Sequence, residues 1–262
     1  MKKAALLAAV GLLLAACRAE RAPDNDSPVQ SSPAAAPAAP AKPRKVEEKS
    51  DILEFSYSWP AEAAAIPGLN KQIEEELGRD RIEAQATAKE DKAGKESGTS
   101  FFAHSFSKEW KVAGDTPRLL SVLGEVGTFT GGAHPNSDYD GVIWDREAGR
   151  SISLADLFIE RERAMKALSA RYCKGLDEER AERRGEVLPP SPDDFSTACP
   201  PLADQTVVAA DSNRNGRFDM FQILLPPSVA GAYAEGGYQV DLKIDDSRLE
   251  ALKPEYRASF ER

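Results

Sequence analysis

Strict alternation of apolar and polar residues is the feature that most limits this chain's fold. Tyr238, Val240, Leu242 and Ile244 are separated one for one by Gln239, Asp241 and Lys243, and Asp245 follows. A period of two sends the first set to one face of a strand and the second to the other, so the strand has one dry and one wet face. Leu53, Phe55, Tyr57 and Trp59 alternate in the same way with Glu54, Ser56 and Ser58 until Pro60 closes the run. Phe102, His104, Phe106, Lys108, Trp110 and Val112 fall on one face of a third strand. Leu119–Phe129 and Tyr139–Asp145 read as two more, parted by Gly131-Gly132, and Val207–Ala210 and Phe218–Leu225 complete the set. One-sided strands of this kind belong to antiparallel sheets.

Two stretches carry helical spacing instead. Ile66, Leu69, Ile73 and Leu77 form one stripe. Leu154, Leu157, Phe158, Met165, Leu168, Tyr172 and Leu176 form another, preceded by Ser153 as N-cap with Asp156 in the capping-box position. That pattern predicts one long helix from about 154 to 180. The expected fold is therefore α+β, a mainly antiparallel sheet with about two packed amphipathic helices. It is expected as two small, intimately packed subdomains, 51–150 and 151–262.

The amino terminus is not part of that fold. Met1-Lys2-Lys3 precedes an apolar run, Ala4–Leu14, with the proportions of a secretory signal and too short to span a bilayer. Leu14-Ala15-Ala16-Cys17 is similar to a bacterial lipobox, which implies cleavage after residue 16 and lipidation of Cys17. Several acyl chains at about 0.8 kcal/mol per buried methylene would hold such a protein at a membrane. The resemblance extends to sorting: Arg18 rather than Asp favours the outer membrane, so the expected address is the periplasmic face of the envelope. Residues 17–50, with six prolines among Ala, Ser and charges, read as a disordered tether.

Charge and cysteine usage follow from that address. The chain of 262 residues has 34 Lys and Arg against 43 Asp and Glu, a net charge of −9. Removal of residues 1–16 takes two lysines and leaves −11. A nucleic-acid partner would ask for a basic face instead. If Cys17 carries lipid, Cys173 and Cys199 are left to pair, and an oxidising periplasm makes their disulfide the default. It would close a Pro-containing loop over Lys174–Ala198.

Three segments carry a family resemblance. They are Thr130-Gly131-Gly132-Ala133-His134-Pro135-Asn136, then Ser151-Ile152-Ser153-Leu154-Ala155-Asp156-Leu157-Phe158, then Leu225–Ala230 with Tyr233-Ala234-Glu235-Gly236. Together they resemble the paired envelope domains that accompany PdaC-type peptidoglycan deacetylases and form the lysozyme-sensing region of an anti-sigma factor. The resemblance covers roughly residues 51–253. It implies a binding surface for a lysozyme-like protein or for peptidoglycan glycan. It does not carry the deacetylase activity, whose metal site uses an Asp and an HxxxH-type pair: the only histidines here are His104 and His134. The expectation is a non-catalytic binding module without a required cofactor. A cell-wall glycan hydrolase or deacetylase is the enzyme alternative.

Individual residues remain open between two roles. His134, Asn136, Tyr139 and Tyr233 are candidate ligand contacts, while a hydrogen bond from His134 to the sheet would make it structural. His104 on a core face reads as a hydrogen-bonded core histidine. Asp211, Asn213, Asn215 and Asp219, with Gly216 at the sixth position, match a calcium loop, but position 12 is Gln222 where a bidentate Glu is needed. The alternative is a two-residue hairpin at Asn215-Gly216, with Val208 opposite Ile223, Ala210 opposite Phe221, and the two aspartates on opposite faces. A calcium-stabilised structural lipoprotein is the reading that follows if the loop binds metal. Charge runs at Glu74–Arg81 and Asp177–Arg184 read as solvated helix faces.

Overall fold

The computed structural model describes residues 41–96, 99–189 and 191–262. The signal segment, Cys17 and most of the tether lie outside them. The tether nevertheless ends earlier than expected. Arg44–Lys49 forms strand β1, antiparallel to β2 (Leu53–Trp59) with Val46 opposite Tyr57. Only Val46 is even partly buried, so the strand is charged along most of its length. That is how an exposed sheet edge avoids pairing with another chain.

After β2 come a short helix, α1 (Ala61–Ala64), and a long one, α2 (Pro67–Ala93), which starts on Pro67. The chain then returns as β3 (His104–Asp115), parallel to β2, so one pair departs from the antiparallel expectation. A helix between two strands that lie side by side forces this parallel crossover. β4 (Leu119–Phe129), β5 (Asn136–Asp145) and β6 (Arg150–Ile152) complete a six-stranded sheet in the order β1-β2-β3-β4-β5-β6. α2 covers one face of it. Leu69, Ile73 and Leu77 are buried there among Leu53, Phe55, Tyr57, Trp59, Trp110, Val122 and Trp144. Truncating a residue such as Leu69 to Ala would cost about 2–5 kcal/mol. Phe102 lies before β3 and is exposed, and Val112 sits at a bulge.

The second predicted helix begins late. Ser153 and Asp156 do make the capping box, but it caps a single 3-10 turn over Leu154–Leu157. Phe158 then leaves the helical path, bridges to Leu252 and is buried. The helix proper, α3, is Arg161–Arg184. It packs along β9 (Tyr238–Lys243) of a second sheet, where a Cβ on Gly175 would come within 2.6 Å of Val240. That sheet, β7-β8-β9, also contains β7 (Thr206–Ala210) and β8 (Met220–Leu225). Two short helices, α4 (Asp246–Ala251) and α5 (Pro254–Arg257), close the chain.

The second sheet lies on the face of the first that α2 leaves open. Its anchors are Ala209 N–H donating to Ser121 Oγ (3.1 Å), Asp211 N–H to the Ala113 carbonyl (2.9 Å), and Thr206 Oγ1 to the Tyr139 carbonyl (2.6 Å). Leu119, Ile143 and Ile152 enter one core with Leu168, Phe221, Ile223, Tyr238 and Val240. The residues on either side of 150 therefore share a core. At the far end Asp145, fully buried, accepts from Arg118 (3.1 Å), the Tyr256 hydroxyl (3.0 Å) and the Glu147 and Ala148 amides. Cys173 and Cys199 form the expected disulfide. Among the described residues no helix is long and apolar enough to cross a membrane.

Candidate functional site

Two of the segments singled out in the sequence meet at one exposed edge. The turn after β4 presents His134, and the Tyr233 ring from the 3-10 turn Tyr233–Glu235 stacks on it, with centroids 3.7 Å apart and planes 21° apart. The Tyr233 hydroxyl donates to the Pro135 carbonyl. His134 Nδ1 lies 3.2 Å from that same carbonyl, within its own turn. The hydrogen bond expected from His134 to the sheet is thus replaced by a stack.

Tyr233 is held from beneath by ionic contacts. Glu235 accepts from Arg184 Nε (3.1 Å) and Nη2 (2.9 Å), from the Tyr238 hydroxyl and from the Ala232 amide. Burial alone would raise its pKa, but the Tyr238 and Arg184 hydrogen bonds outweigh it and hold the carboxyl below its ordinary value. Arg183 lies 4.1 Å over the Tyr238 ring and donates to the Glu235 and Gly237 carbonyls. Gly236 has φ 75° and ψ −168°, a region essentially closed to side chains. A Cβ on Gly237 would come within 2.8 Å of the Leu225 carbonyl and 3.3 Å of the Tyr139 hydroxyl. Tyr139 is therefore brought beside this segment. Asn136, exposed, opens β5 opposite Thr128, next in the chain to the Pro135 carbonyl that Tyr233 bonds.

The charge runs read as solvated faces contain buried groups. Arg180 is buried, and its guanidinium donates to the Ala230 (2.9 Å), Thr197 (3.1 Å) and Ala198 (2.8 Å) carbonyls. Lys108, at 4% exposure, contacts Glu76 and Asp140 and lies 3.6 Å from Asp80. Burial of Asp80 raises its pKa despite Lys108. No local signal marks these positions, because a guanidinium that caps carbonyls has the same sequence pattern as one in water. His104 is a buried core histidine, its Nε2 3.2 Å from Asp91 and its ring stacked on Phe101.

The loop at 211–219 departs from the expected hairpin. Val208 faces Gln222 and Ala210 faces Met220, one residue away from the predicted register. The turn is longer because Arg214 and Gly216 both take positive φ. Asp211 accepts from the Asn215 (3.1 Å) and Gly216 (2.8 Å) amides, and Asp219 from the Ser212 amide (2.9 Å). Both carboxylates therefore turn to the loop backbone, contrary to the expected split onto opposite faces. Glu261 accepts from Asn213 (2.8 Å) and Asn215 (2.5 Å). Among the described residues no group of three His, Cys, Asp or Glu is placed to hold a metal.

Fold and site together define a two-sheet α+β domain whose exposed edge is assembled from distant segments. Residues 46–137 match the family model described as Deacetylase PdaC, which bears out the resemblance from β1 to the start of β5. Among solved structures, a member of the DUF3298 family from Bacteroides fragilis is similar at 16% identity and TM-score 0.52, covering 83% of this chain and 95% of that one. A DUF3298 family protein from Pseudomonas aeruginosa is similar at 16% identity and TM-score 0.49, covering 86% and 99%. The first shares the α+β fold. No curated protein matches the chain.

Proposed function

We infer that the chain is a lipid-anchored, non-catalytic binding module on the periplasmic face of the envelope. Its ligand is a lysozyme-like protein or peptidoglycan glycan. The observation that carries this reading is the His134–Tyr233 stack, which joins the first and last of the segments that carry the resemblance on open surface. A surface of net negative charge suits a basic protein ligand by speeding encounter. The test is biolayer interferometry of the secreted chain carrying Cys17→Ser against a c-type lysozyme and against chitotetraose. Saturable binding of either supports the reading. Deacetylation or cleavage of glycan, lost in His134→Ala, would replace it with the enzyme reading.

A second reading, calcium stabilisation, gains support from Glu261. Its carboxylate accepts from the Asn213 and Asn215 amides, and on turning to an ion it would supply the acid that Gln222 cannot. Calcium would then raise the melting temperature, and Asp211→Ala or Glu261→Gln would abolish the rise. A melting temperature insensitive to calcium removes this reading.

A further inference from the structure

The loop between α3 and Cys199 exposes apolar side chains that a solvated loop has no reason to carry. Val187 is 81% exposed, Leu188 40% and Phe195 60%. Its second half, from Ser191 to Cys199, is nonetheless firmly held. The disulfide ties its far end to α3. Arg180 takes the Thr197 and Ala198 carbonyls, and Arg184 takes the Ser196 carbonyl (2.9 Å). Within the loop Asp194 accepts from the Ser196 amide (2.9 Å), and Ser191 N–H donates to Thr197 Oγ1 (3.1 Å). An exposed apolar group on a preorganised frame, as Phe195 is, is what a binding hot spot requires, since the ordering cost is already met in the free protein.

We propose that this loop is a docking element for a basic protein partner, inserting Val187, Leu188 and Phe195 into an apolar-walled cleft. Its charge selects the occupant. Glu182, Glu186, Asp193 and Asp194 are exposed around the apolar residues, so a partner with a basic rim is attracted. An anionic lipid surface would be repelled by the same carboxylates. A second copy, itself net negative, is disfavoured too. The loop also adjoins the stacked edge: Arg184 bonds Ser196 on one side and Glu235 on the other, linking the loop to the segment that bears Tyr233. This inference rests on the protein-ligand arm of the function proposed above and locates its contact surface.

The test uses the secreted chain carrying Cys17→Ser and a c-type lysozyme at physiological salt. Val187→Ser/Phe195→Ser should weaken binding at least tenfold with an unchanged melting temperature. Glu186→Lys/Asp193→Lys should slow association severalfold. Ile82→Ser, exposed on α2, should leave binding as it is. Native protein that binds while the double Ser variant binds equally well overturns the docking loop alone. Native protein that does not bind lysozyme overturns the protein-ligand arm together with it. A dimer of the native chain that the double Ser variant dissociates would assign the patch to self-association and also overturn it.

Discussion

The Tyr233 ring lies flat on the His134 imidazole at 3.7 Å, and its hydroxyl closes onto the neighbouring Pro135 carbonyl. One aromatic contact thereby fixes the turn after β4 against the segment before β9. An aromatic stack contributes about 0.5–1.5 kcal/mol beyond the area it buries.

Tyr233→Ala is therefore expected to destabilise the protein by about 1–2 kcal/mol. It should weaken ligand binding by much more than the fall in stability explains. Tyr233→Phe keeps the stack and should keep most of the binding. Chemical denaturation and interferometry on the same variants check both.

Lys108 offers a second test, because a buried ammonium serves several carboxylates at once. Lys108→Met leaves Glu76, Asp80 and Asp140 facing one another, and breaking a buried pair costs about 3–5 kcal/mol. Part of the loss should return as pH falls, because protonation of Asp80, whose pKa burial already raises, relieves the repulsion. A pH series of urea midpoints distinguishes this from simple loss of packing, which would not depend on pH.

Asp145 contributes to the acid limb of stability. Burial opposes its ionisation, but Arg118, the Ala148 amide and the Tyr256 hydroxyl win, and its pKa is lowered. A carboxyl with a lowered folded pKa contributes stability that is present above the unfolded value near ~3.9 and is lost as pH falls through the folded value. Asp145→Asn should cut stability at pH 7 and flatten the decline below pH 4. Urea unfolding between pH 2 and 7 reads both.

Reduction of Cys173–Cys199 frees the loop that carries Val187 and Phe195. A closed loop of this length is worth on the order of 3 kcal/mol. Cys173→Ala/Cys199→Ala should show that loss by thermal unfolding. It should also show weaker lysozyme binding that is not restored by lowering the temperature.

Much of the scaffold was legible because burial on one face writes itself into the sequence. β4 runs over Leu119–Phe129 as its apolar pattern predicts, and β9 follows the alternation from Tyr238. β1 was hidden because an edge strand that is exposed on nearly every residue has no alternation to read. The start of α3 was misplaced because Leu154, Leu157 and Phe158 keep helical spacing while Phe158 serves a bridge to Leu252. The register of β7 on β8 slipped by one because positive φ at Arg214 lengthens a turn that Asn215-Gly216 alone would have closed. At the candidate site His134 and Tyr233 were both visible as residues, but their contact was not. Long-range stacking leaves no local trace, and neither does the burial of Arg180 against the Ala230, Thr197 and Ala198 carbonyls.

The central claim is tested most directly by interferometry of the secreted Cys17→Ser chain against a c-type lysozyme, with chitotetraose in parallel, at low and physiological salt. The account predicts saturable binding of at least one ligand that survives physiological salt and weakens in Tyr233→Ala. Binding of neither, or binding that disappears as salt is raised and is indifferent to Tyr233, would contradict it.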